Sequence, residues 1–79
     1  MVYDEYDDQV TRLISDGWGF YGTYDLPPYK RLRVEREVYV MDGDEYIAFD
    51  VMYHYDDGIQ EFTEPFNVVP VTTTVFERV

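Results

Sequence analysis

Few kinds of side chain here can do chemistry: seventeen carboxylates, nine phenols, one imidazole and no thiol. Paired carboxylates can act as acid and base, but only in a cleft that holds a substrate. His54 is the single histidine. It leaves no multi-histidine metal site and no usual catalytic triad, and its expected partner is Glu61 across a hairpin. Asp42-Gly43-Asp44-Glu45 and Asp56-Asp57-Gly58 resemble calcium ligands in type. Neither has the ligand spacing and distal glutamate of a calcium loop, and turn chemistry accounts for both. The expectation is a non-enzymatic protein with no metal, no cofactor and no catalytic residue.

What remains is electrostatic recognition. Seventeen acidic residues against six basic ones set a formal net charge of -11 over 79 residues. Such a chain suits a positively charged surface and repels phosphate. Spread evenly, the carboxylates fall well short of the charge density of duplex DNA, so mimicry of nucleic acid requires that they cluster on one face. Four of the six basic residues lie in one segment, Lys30, Arg31, Arg33 and Arg36, beside Tyr24 and Tyr29. Basic residues interleaved with aromatics can bind nucleic acid. The repulsive field of the whole chain weighs against that, and pairing with nearby carboxylates is expected instead.

The elements that position these groups follow from periodicity. Tyr3 to Asp16 reads as a helix, with Tyr3, Tyr6, Val10, Leu13 and Ile14 as its apolar stripe. Asp4, Glu5, Asp7 and Asp8 suit the positive end of its dipole, Asp8 and Arg12 form an i, i+4 pair of opposite sign, and Gly17 is its stop. A short strand fits Trp18 to Thr23, with the aromatic cluster of Trp18, Phe20 and Tyr21 assigned to the core. Pro27-Pro28 ends regular structure there.

From Lys30 the period becomes two. Strands are expected near 31–41 and 45–55, a third over Ile59–Thr63, and a last, edge strand near Val71–Arg78. Asp42-Gly43 and Asp57-Gly58 are two-residue hairpin signals. Read as such, they set Val38 opposite Ile47, Val34 opposite Val51, and Tyr53 opposite both Leu32 and Phe62. That register gathers the apolar residues under the helix, with Arg36 opposite Phe49 as the one misfit. It leaves Glu35, Glu37, Asp50 and Glu61 on the other face with Tyr39 and Tyr46. Glu35 then stands across from Asp50, an unfavourable pair that binding would relieve.

The expected fold is therefore α+β: residues 1–79 as a single acidic domain, one N-terminal helix packed on an antiparallel sheet of three to four strands. No targeting segment and no membrane span is read, and a soluble cytoplasmic protein is expected, in a bacterial cell if phage-encoded. In size, acidity and tyrosine content the chain resembles small phage host-takeover and anti-defence proteins, a likeness of composition with no motif behind it. The charge leads to the expectation of an inhibitor that blocks a basic, nucleic-acid-binding surface on RNA polymerase, a nuclease or a CRISPR effector, and the register to its binding residues, Glu35, Glu37, Asp50, Glu61, Tyr39 and Tyr46. The alternatives are an immunity protein or antitoxin against a basic toxin, and a halophile-adapted acidic domain.

Overall fold

The N-terminal residues form a helix because their apolar side chains recur at helical spacing, and the helix ends where the backbone is made to turn. The computed structural model describes residues 2–72 and 75–79. In it α1 spans Val2–Ser15. Gly17 takes φ +103°, its N–H donates to the Ile14 carbonyl, and the Trp18 N–H donates to the Leu13 carbonyl. This is the Schellman stop, with Trp18 and Leu13 supplying its apolar contact. Six strands follow: β1 (Gly19–Tyr29), β2 (Leu32–Met41), β3 (Glu45–His54), β4 (Gly58–Phe62), β5 (Phe66–Thr72) and β6 (Val75–Arg78).

The expectation of an α+β domain with three to four strands is corrected. The protein is mostly β: a six-stranded antiparallel half-barrel with one short helix, with 62% of the described residues in strands. The order is β1-β2-β3-β5-β6, with β4 paired to β3 beside β5. Prolines hid the extra strands. Pro27 and Pro28 fall within β1, an edge strand, at an irregularity between Leu26 and Tyr29, where a missing N–H breaks no ladder. Pro70 sits at a second irregularity in the β5–β6 pairing. Thr73 and Thr74, inside the last strand expected from the sequence, lie outside the described residues.

The β2–β3 register differs from expectation by one residue. Asp42 and Gly43 do form the tight turn, at φ +54° and +81°, closed by the Asp44 N–H to the Met41 carbonyl. Asp44 then stays out of the ladder, so Met41 pairs with Glu45, Val38 with Ala48 and Tyr39 with Ile47. A slip of one residue moves a strand's side chains to the opposite faces. Glu35, Glu37 and Tyr39 therefore lie on the same face as Ile47, Phe49 and Val51, under α1. Val34, Val38 and Val40 lie on the other face, with Tyr46, Ala48 and Met52.

The second hairpin shifts as well. His54 pairs with Gly58, and Val51, rather than Tyr53, pairs with Phe62. Both faces of the central strands are buried. One holds Leu13, Tyr39, Ile47, Phe49, Val51 and Ile59, with Tyr6, Val10, Trp18 and Phe62 against them. The other holds Val38, Ala48, Val68 and Phe76, with Tyr24, Tyr46 and Phe66. The β5–β6 hairpin covers this second face, leaving no open apolar or acidic sheet face at the centre. The aromatic cluster after α1 is split: Trp18 packs into the core, whereas Phe20 and Tyr21 are exposed. No described helix is long and apolar enough to cross a membrane.

Arg36 holds the two halves of this second face together. Its Nε and Nη2 donate to Asp50 Oδ1 and Oδ2 at 2.6 and 3.0 Å, and its Nη1 donates to the Phe76 carbonyl at 2.9 Å. Both side chains of the pair are largely shielded from solvent. Removing one partner strands the other's charge, whereas removing both does not. Asp50→Asn is expected to lower stability by about 1.5–3 kcal/mol, read as a fall in the urea midpoint. Arg36→Met with Asp50→Leu is expected to lie closer to wild type than either single change. A near-additive double variant would show that the pair is not coupled.

Candidate functional site

The six residues expected to form one binding face do not share a face. Glu37 and Tyr39 are buried beneath α1. Glu35 is on that side too, where its carboxylate meets Arg33 Nη2 at 3.1 Å. Tyr46 and Asp50 point to the opposite face, Tyr46 ring to ring with Phe76 and Tyr21 and Asp50 on Arg36. Glu61 is exposed on β4, opposite Met52. The Glu35–Asp50 opposition does not exist, since Glu35 pairs with Val51 and Asp50 with Arg36. The like-charged cross-strand pair present is Asp25 opposite Glu35, moderated by Arg33. His54 faces Asp57 at 3.5 Å, not Glu61.

Beneath α1 lies a group that the sequence reading placed in solvent. Glu37 Oε2 accepts a hydrogen bond from the Tyr6 hydroxyl at 2.5 Å, and its Oε1 accepts one from the Tyr39 hydroxyl at 3.0 Å. A buried carboxyl needs donors on both oxygens, and two phenols supply them. Burial, then the Glu37 contact, pushes the Tyr6 phenol far above its ordinary range; burial and Glu37 do the same to Tyr39. Tyr6 was legible only as part of the helix's apolar stripe, and its hydroxyl gave no sequence signal.

An open cleft of about 220 Å³ lies at the other end of the sheet, lined by Arg33, Tyr53, His54, Tyr55 and Gly58. That is below the usual size of a small-molecule site. Among the described residues no group of three His, Cys, Asp or Glu side chains is placed to hold a metal ion.

The exposed charge lies elsewhere. Fourteen of the seventeen carboxylates are exposed, all but Glu35, Glu37 and Asp50. Among the described residues only Glu35, Asp50 and Asp57 stand in ion pairs, and the Asp8–Arg12 pair expected on the helix does not form. Asp4, Glu5, Asp7 and Asp8 are all exposed on α1, whose inner side is held by Tyr6, Val10 and Leu13 and by Gln9 Nε2 donating to the Thr63 carbonyl at 3.0 Å. Asp4 and Asp8 are four residues apart, Asp4 and Asp7 three, Glu5 and Asp8 three. Each spacing is a destabilising like-charge pair on a helix, partly offset by the helix dipole.

The phenol clamp makes stability sensitive to alkali. Unfolded tyrosines ionise near pH 10, while folded Tyr6 and Tyr39 keep their protons there. The unfolded state then binds fewer protons, so stability falls as the pH rises through that value and is fully present below it. The urea midpoint is expected to drop between about pH 9 and about pH 11, less steeply in Tyr6→Phe. At neutral pH that variant is expected to lose about 1–3 kcal/mol, because one Glu37 oxygen is left without its donor. An unchanged midpoint would show that Glu37 is satisfied another way. No family model, no curated protein and no solved structure matches this chain.

Proposed function

We propose that this is a small acidic, non-enzymatic binding protein that docks on a basic, nucleic-acid-binding surface of another protein and blocks it, and that it docks through α1 rather than through the sheet. The observation that carries this reading is the row Asp4, Glu5, Asp7 and Asp8. All four are exposed and outside any ion pair among the described residues, and they sit on a helix anchored from below. Four unpaired carboxylates in five consecutive residues repel one another in the free protein. A cationic partner removes that repulsion and is steered in by the net charge of -11. The sheet's central faces are occupied, by α1 on one side and by the β5–β6 hairpin on the other.

The test combines capture and kinetics. Immobilised protein is exposed to a bacterial lysate and eluted with a salt gradient, and the retained basic protein is then measured against a variant carrying Asp4→Asn, Glu5→Gln, Asp7→Asn and Asp8→Asn. The variant is expected to associate at least about tenfold more slowly, with a flatter dependence on salt, while its thermal midpoint stays within a few degrees of wild type. Equal association rates for the two proteins would place the interface elsewhere.

A further inference from the structure

We infer that β1 is a self-association edge, and that its occupant is the β1 strand of a second copy of this chain, added antiparallel across a two-fold axis near Thr23–Tyr24. Three observations lead there.

The first is the open edge. β1 pairs with β2 on one side and, among the described residues, has no strand on the other. At 11 residues it is the longest strand, while β6 at the far edge has four. A long edge strand offers a row of unpaired main-chain donors and acceptors. The irregularities between Phe20 and Gly22 and between Leu26 and Tyr29 close the two ends of this edge. Gly22–Leu26, about 17 Å of regular strand, stays open between them.

The second is apolar surface at the same edge. Phe20 is 58% exposed, Tyr21 48% and Tyr29 50%. In an antiparallel pair of β1 strands, Phe20 and Tyr21 of each copy come beside residues near Leu26–Pro28 of the other, so both ends of the open stretch gain aromatic cover.

The third is charge, and it selects the occupant. β1 carries a single carboxylate, Asp25, in an otherwise strongly acidic protein. The ends of the molecule, whose longest dimension is 36 Å, differ in sign along this edge. The β1–β2 turn presents Lys30 and Arg31, both exposed. Asp16 precedes the start of β1, and the turn with Asp42, Asp44 and Glu45 lies beside it, since Gly19 pairs with Val40. Antiparallel pairing centred on Thr23 or Tyr24 brings the turn with Lys30 and Arg31 of one copy to the acidic end of the other, where Asp16 stands in the turn between α1 and β1 and Asp42, Asp44 and Glu45 stand beside the start of β1. The two-fold repeats this at both ends, and Asp25 meets an uncharged stretch. Asp56 and Asp57 share the cationic end but belong to the β3–β4 turn, about 10 Å further from the edge.

Lys30 and Arg31 are also held at φ +48° and +67°, a tight hairpin conformation that favours Asn and Gly. Two long cations at such a site raise the energy of the free turn, and contact with Asp16 of a second copy compensates for it. A patch this small makes a weak, concentration-dependent dimer.

Sedimentation equilibrium from about 1 µM to about 1 mM is expected to show monomer and dimer. Hydrogen exchange at the high end is expected to show added amide protection within Gly22–Leu26. Lys30→Glu with Arg31→Glu is expected to weaken the dimer about tenfold, and adding Asp16→Lys to that variant to restore it. Three results would each overturn the proposal: a wild-type monomer at every concentration, added protection that falls outside β1, or a reversed-charge variant that dimerises as wild type does. The wild-type exchange pattern decides the matter even if the variants fold poorly. A basic partner bound at α1 leaves all these readings unaltered.

Discussion

Among the described residues Arg36 is the single lysine or arginine that is not exposed to solvent, and the position of its guanidinium governs much of the rest. A bidentate bond to Asp50 requires that these two residues stand opposite each other on β2 and β3. That requirement selects one alignment of the central hairpin and rejects its neighbours, because a one-residue slip would bury both charges without partners. The third donor goes to the Phe76 carbonyl, fastening β6 over the same face. Register, face assignment and the curl of the sheet thus meet in one side chain. Its flat guanidinium also lies over the Phe66 ring, 5.1 Å from the ring centre.

On the opposite face the problem is of another kind. Glu37 is buried among aromatic rings, with no ion-pair partner among the described residues. Two phenols solve it, one from the helix and one from its own strand. The Tyr6 ring packs edge-on against Phe49 and Phe62 while its hydroxyl reaches the carboxyl. A phenylalanine there would pack equally well and leave an oxygen bare. Part of the tyrosine content therefore has a structural use: at Tyr6 and Tyr39 the ring adds apolar area to the core and the hydroxyl adds a donor. This matters in a domain whose small size limits its core.

Much of the local structure was legible in the residues. The helix, its glycine stop, the two central strands and the Asp42-Gly43 turn all follow from spacing and turn chemistry. The face assignment was not, because both faces of β2 and β3 are covered and each strand carries bulky residues on both sides. Alternation then has no preferred phase. Two clues pointed to the other phase: Arg36 set against Phe49, and Glu35 set against Asp50. Moving one strand by one residue removes both at once and forms the Arg36–Asp50 pair. The binding face inferred from the wrong phase dissolved with it. The acidic helix remained, since its exposure depends only on the 3.6-residue period of α1 and not on the pairing of strands.

Trp18, the single tryptophan, sits at the joint between helix and sheet: its N–H caps α1 and its ring packs into the cluster that α1 covers. An indole in that place is a built-in optical probe of one event. Its emission wavelength responds to water reaching the helix–sheet junction, whereas far-ultraviolet dichroism, in a protein that is mostly strand, responds to the ladder as a whole. Comparing the two signals during unfolding separates lifting of the helix from melting of the sheet, with no added label. Coincident transitions mean that helix and half-barrel form one cooperative unit; an earlier shift in emission means that the helix leaves first, baring the aromatic face beneath it.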